Sequence, residues 1–265
     1  MNLTRLRQGT LAVSFVLSNI GINLASKTGC IYPFLFCYGC PLAFAACPIG
    51  TLQHFVILSS LPLYLIGAIG TYGMIFGRFF CGWACPFGAL HDVLAHVSKS
   101  NGVSKKRTLK RLPYAKYIML LLVIGLAWLA LDTVFCKFCP AGSLFAALPA
   151  TVFYPNLTLG VFFYVHIATL VLVVLLGLFF ARFWCRYLCP LGSIGAFNKL
   201  SILTVSVDSA KCVDCQKCLD SCPMGIEKID DIGSSSDCIR CGKCVVACHN
   251  DALRIGLHRN TGGAS

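Results

Sequence analysis

The chain has 265 residues, of which 57% are hydrophobic and 12% charged, and its formal net charge is +12. So little charge over so much apolar sequence excludes an ordinary soluble globular domain as the whole molecule. Eight of the ten acidic residues lie beyond residue 203, so the basic surplus belongs to the apolar part and no nucleic-acid partner is needed to explain it.

Four apolar stretches, Leu11–Ala25, Phe55–Gly77, Tyr114–Val134 and Leu159–Ala181, approach or reach the length that crosses a hydrocarbon core of ~30 Å. The first is short and carries Asn19 and Asn23, so a signal peptide competes with a span. No small-x-small cleavage site follows, and the residues before Ile31 make a poor lipobox; an uncleaved span is expected. Thr28–Gly50 is apolar but broken by Pro33, Pro41 and Pro48, and reads as a re-entrant or interfacial excursion. The basic loop Lys99–Arg111 suits anionic lipid or an acidic partner. Thirteen Lys and Arg of this part fall on one side and only Lys27 and Lys137 on the other. That asymmetry predicts a multi-pass protein of the cell inner (cytoplasmic) membrane with both termini cytoplasmic.

Cysteines follow the stretches in a repeat. Cys37-x2-Cys40-Pro41 and Cys136-x2-Cys139-Pro140 follow the first and third; Cys81-x3-Cys85-Pro86 and Cys185-x3-Cys189-Pro190 follow the second and fourth. Two spans per half make the repeats parallel. Cys81, Cys85, Cys185 and Cys189 are then expected at the inner face, and Cys37, Cys40, Cys136 and Cys139 at the outer, each set a cage for a [4Fe–4S] cluster. Competing readings are buried structural thiols, disulfides, or a Cys-x-x-Cys redox pair at the outer face. Cys30 and Cys47 lack counterparts; a disulfide between them or an auxiliary ligand role for Cys47 stays open. Ionisable groups in apolar stretches are informative. His166, His54 and Asp132 form a candidate quinone site, weighed against helix capping or bonds to a neighbouring span; no catalytic residue is assigned. His91, Asp92 and His96 read as a solvated interfacial helix.

The final segment carries Cys212-x2-Cys215-x2-Cys218-x3-Cys222-Pro223 and Cys238-x2-Cys241-x2-Cys244-x3-Cys248. Three soft thiolates at this spacing wrap one [4Fe–4S] cluster, and the trailing cysteine of each run serves the other. Cys212, Cys215, Cys218 and Cys248 are expected to hold one cluster, and Cys238, Cys241, Cys244 and Cys222 the second. A zinc ribbon or disulfide framework is the competing reading. His249 stands where a proline is expected after Cys248.

At the two Cys-x3-Cys-Pro motifs and the eight C-terminal cysteines the chain resembles the NapH-like family of polyferredoxin membrane proteins, known from periplasmic nitrate reductase systems. The resemblance implies a quinol-dehydrogenase or electron-transfer subunit of a larger oxidoreductase complex. The Cys37/Cys40 and Cys136/Cys139 pairs depart from the family pattern. The expected architecture is an α-helical membrane protein with four transmembrane helices as a parallel two-fold repeat (1–110 and 111–203) and re-entrant Cys-Pro segments. A small α+β bacterial-type 2[4Fe–4S] ferredoxin domain (204–265) follows. The expected function is electron transfer between that domain and a quinone pool or extracytoplasmic partner, through one or two further clusters in the membrane part. Expected partners are a cytoplasmic or periplasmic oxidoreductase, a ferredoxin or a multihaem cytochrome. The alternative is a maturation or sensing protein whose outer cysteines bind copper or exchange disulfides.

Overall fold

The structure, a computed structural model, describes residues 3–24, 47–100, 114–144, 148 and 160–257. Expectations placed on Cys30, Cys37, Cys40 and most of the basic loop lie outside these residues.

Four membrane-spanning helices are not what the described chain forms, and the expected four-helix repeat is corrected here. Among the described residues one helix, Val161–Phe179, is long and apolar enough to cross a membrane. Helix α1 (Leu3–Leu24) has 22 residues, but Arg5, Arg7, Gln8, Ser14, Ser18, Asn19 and Asn23 dilute its apolar character. The stretch Phe55–Gly77 is broken. Helix α2 (Pro48–Ile57) stops, Ser59 takes φ 51°, and Pro62 precedes α3 (Leu63–Phe76). At 14 residues α3 spans about 21 Å, short of the hydrocarbon thickness. Tyr114–Val134 yields 16 residues, Ala115–Ala130, ended where Leu131 turns left-handed at φ 49°.

The chain divides into two compact units, Met1–Thr10 with Ala68–Ala84 and Ile194–Ser265, and Leu11–Gly67 with Cys85–Ser193. In the first, β1 (Leu203–Val207) pairs antiparallel with β2 (Leu253–Leu257), Val205 opposite Ile255. Val205, Ile232 and Leu253 form the core under this ribbon, and Cys218, Cys244 and Cys248 pack against it. Apolar burial thus seats the cysteine runs.

Helix α4 (Phe79–Trp83) belongs to the first unit. In the second, α5 (Pro86–Ser100), a short helical turn α7 (Pro140–Gly142), α8 (Val161–Phe179) and the turn Trp184–Leu188 supply the core, and α6 (Ala115–Ala130) buries Val123 and Ala127. Phe87, Ala141, Leu170, Val173 and Trp184 are buried together, with Cys85, Cys139 and Cys189 packed against them. Four of the five described Cys-Pro steps start a helical segment: Cys47-Pro48, Cys85-Pro86, Cys139-Pro140 and Cys189-Pro190, whereas Cys222-Pro223 enters a turn. Proline suits a first helical position because its missing N–H has no intrahelical partner there.

Candidate iron–sulfur sites

The two C-terminal cysteine runs share one backbone design. Asp214 and Arg240, second in the gap between the first two cysteines of each run, both have φ 51°. Gln216 and Gly242 follow at φ 58° and 75°, and Gly225 and Asp251 at 64° and 49°. Left-handed residues curl the backbone sharply, and each run then enters a short helix, Lys217–Asp220 or Lys243–Ala247.

Two cavities result. Cys222, Cys238, Cys241 and Cys244 line one of about 370 Å³, with Cys218, Arg240 and Met224 also on its wall. Cys212, Cys215, Cys218 and Cys248 line the other, of about 430 Å³, with His249 and Lys211. Each trailing cysteine therefore borders the cavity of the other run. None of the eight is joined in a disulfide. Burial pushes the Cys222, Cys238 and Cys244 thiols up, and neighbouring sulfurs raise them further; burial raises Cys218 too, with Cys212 and Cys215 adding to it. Thiols held neutral in this way must lose their protons to ligate iron, so assembly releases protons. The soft donor set fits an inorganic cluster held by four thiolates.

The loop of the second run is clamped within its unit. Asn198, 2% exposed, accepts from the Arg78 backbone N–H at 3.0 Å and donates to the Ser235 and Cys238 carbonyls at 2.7 and 2.8 Å. Trp83 Nε1 donates to the Arg240 carbonyl at 3.0 Å. Arg78 donates to the Ser236 carbonyl at 3.0 Å and lies 3.7 Å from Asp237. Cys81 packs beside Cys222, Cys241, Met224 and Ile239. Gly82 makes this closeness feasible, since a Cβ there would lie 2.3 Å from the Ile239 carbonyl oxygen. Gly82→Ala should therefore cost about 1–3 kcal/mol and reduce iron in the cavity of Cys238 and Cys241. Gly125→Ala, where a Cβ meets nothing within 4 Å, is the control; equal iron in both variants would refute the argument.

In the second unit, the structure brings Cys47, Cys136 and Cys139 together. A Cβ on Gly50 would come 3.8 Å from Cys136 Sγ and 3.9 Å from Cys47 Sγ. The Cys139 thiol is pushed up to about 12 by burial, with Cys47 and then Cys136 adding to the push and the Gly142 and Ala141 N–H groups opposing it. Gln53, fully buried, donates toward Cys136 Sγ at 3.5 Å and accepts from the Phe135 N–H at 3.2 Å. Cys85, Cys185 and Cys189 belong to this unit and Cys81 to the other.

His54, Asp132 and His166 have separate surroundings. His166 Nδ1 lies 3.0 Å from Ser143 Oγ, which also donates to the His166 carbonyl at 2.9 Å. Asp132 pairs with Lys137, whose hydrogen bond holds its carboxyl below the usual range. His54 is exposed. No hydrogen bond or ion pair joins any two of the three among the described residues. The solvated reading of His91 and Asp92 is corrected: His91 is 1% exposed, and Asp92 pairs with buried Arg182 at 2.8 Å. Gln53, Ser143, Asn198 and Arg240 were not singled out from sequence. A lone polar residue inside an apolar run is the signal that marks Gln53.

Comparison with known proteins agrees with this chemistry. The 4Fe-4S binding domain family matches residues 58–104, 112–148 and 162–201, and the 4Fe-4S dicluster domain family matches 204–249. An uncharacterized protein of Methanocaldococcus jannaschii is 32% identical over 69% of this chain and 68% of its own length. The putative electron transport protein YccM of Escherichia coli is 28% identical over 66% of this chain and 51% of its own. The ferredoxin-type protein NapH of Haemophilus influenzae is 28% identical over 61% and 54%. No solved structure matches. These matches show a ferredoxin-type 4Fe-4S protein of electron transport. The chain belongs to the NapH-like family of such proteins.

Proposed function

We propose that this chain is a membrane-attached electron-transfer subunit, passing electrons between its ferredoxin segment and a quinone pool or an extracytoplasmic redox partner. The pair of thiol-lined cavities carries the reading. Cys212, Cys215, Cys218 and Cys248 hold one [4Fe–4S] cluster, and Cys222, Cys238, Cys241 and Cys244 the other. The clusters supply one-electron exchange when bound; the chain's residues hold them, bury them and set their electrostatic surroundings. Cys248→Ala should accordingly damage the cluster of Cys212, Cys215 and Cys218. Spectroscopic loss confined to the Cys238, Cys241 and Cys244 cluster would overturn the exchange of ligands.

Helix α8 supports membrane attachment, and Arg182 and Arg186 just beyond its C-terminal end support a ferredoxin segment facing the cytoplasm. The Cys-Pro turns of the second unit carry one or two further clusters in this reading. A second reading, copper binding or thiol exchange, is supported on its thiol-exchange side by the nearness of Cys47, Cys136 and Cys139. Iron and sulfide analysis separates them. About sixteen irons per chain support four clusters, and about eight leave only the ferredoxin pair. Far fewer than eight would defeat the electron-transfer assignment itself.

A further inference from the structure

The two cysteine runs match in conformation but not in charge. Asp214 and Arg240 hold the same place at the same φ. Asp214 is exposed, whereas Arg240 is 1% exposed and borders the cavity of Cys222, Cys238, Cys241 and Cys244. Its guanidinium donates to the carbonyls of Phe76 and Asn198 at 2.8 Å each, to that of Gly233 at 3.3 Å, and to Ser201 Oγ. Its Nε is buried with no hydrogen-bond partner among the described residues. All four acceptors are neutral, and no carboxylate among the described residues pairs with it. Neighbouring Arg78, by contrast, has Asp237 at 3.7 Å.

A cation buried without a counter-ion costs several kcal/mol, and neutral dipoles offset only part of that. The second cavity shows no such charge. Lys211 on its wall is half exposed and lies 3.9 Å from Asp208.

We propose that Arg240 is the counter-ion of the cluster held by Cys222, Cys238, Cys241 and Cys244, and that it sets this cluster's reduction potential above that of its neighbour. The inference rests on reading those thiols as cluster ligands. A cluster bound by four thiolates is anionic and becomes more so on reduction. A fixed cation in a weakly screened interior favours the reduced form. Asp214, at the equivalent place, acts in the opposite sense on the other cluster, though solvent weakens it. Electrons entering the ferredoxin segment therefore settle on the Arg240 side.

The test is a redox titration of the full-length protein followed by electron paramagnetic resonance. Cys215→Ser and Cys241→Ser identify which signal belongs to which cluster. In the wild type, the signal perturbed by Cys241→Ser is expected to reduce at the higher potential. Arg240→Gln is expected to lower that cluster's reduction equilibrium about tenfold, or ~59 mV for one electron, leaving the other in place. Arg240→Lys is expected to keep most of the wild-type value. An unmoved potential in Arg240→Gln, an equal fall in Arg240→Lys, or a reversed wild-type order would each overturn the proposal. Should Arg240→Gln fail to assemble, the wild-type order and the lysine variant decide. A wild-type protein with no [4Fe–4S] signal would instead defeat the cluster reading, whereas normal iron with unmoved potentials defeats only the role of Arg240.

Discussion

Asn198→Ala should strip iron from the cavity of Cys222, Cys238, Cys241 and Cys244 and destabilise the first unit by about 3–5 kcal/mol. The side chain makes three buried hydrogen bonds: one accepted from the Arg78 N–H and two donated to the Ser235 and Cys238 carbonyls. Alanine takes the Asn198 partner from the Arg78 N–H and the Cys238 carbonyl, while the Ser235 carbonyl keeps the Cys238 N–H at 3.0 Å. Each such group costs roughly 1–3 kcal/mol, and whole domains are stable by only about 5–15 kcal/mol. The Cys238 carbonyl belongs to a residue proposed above as a cluster ligand, so the loss falls on the geometry of the second run first. Iron per chain, read together with a denaturant titration, checks this. Full iron with stability unchanged within about 0.5 kcal/mol would refute it, because the Ser235 carbonyl keeps the Cys238 N–H at 3.0 Å but the Cys238 carbonyl loses the Asn198 amide.

Acidification should weaken the second unit between pH 6.5 and about 4 through His91. The ring is buried, meets the edge of Phe87 at 5.2 Å between centroids, and has no hydrogen-bond partner on either nitrogen among the described residues. Its pKa is lowered to about 4, chiefly by burial, with Arg182 adding to the fall and Asp92 opposing it. The unfolded chain takes up a proton near 6.5 and the folded one does not until about 4. In that window the unfolded state binds more protons, so stability falls as pH falls and levels off below the folded value. The loss is on the order of 3 kcal/mol. His91→Leu should flatten this acid limb and His96→Leu, at an exposed position, should leave it. An unchanged limb in His91→Leu would assign the acid sensitivity elsewhere.

Both effects depend on contacts across long stretches of chain, and this separates what was legible from what was not. The eight C-terminal cysteines were legible because ligand chemistry demands a spacing, and spacing is written locally. That the trailing cysteine of each run borders the other's cavity follows the same logic. Hydropathy marked the apolar stretches, but their division into helices did not follow from it. Ser59 and Leu131 take positive φ, and a backbone reversal at a serine or a leucine has no compositional signature. Pro62 lies at the same break, between α2 and α3.

By itself the sequence determined the cluster-binding chemistry, the family and the apolar character of residues before 204, because each rests on residue type and short-range order. Only the tertiary structure decided which polar groups are buried and with whom. Asp92 meets Arg182, Asn198 holds Ser235 and Cys238, and Cys47 gathers with Cys136 and Cys139. The physical reason is that the free energy of a charge or an amide depends on its surroundings. Arg240 beside Asp214 in the aligned runs reads as two surface charges; burial of one and exposure of the other makes them unlike.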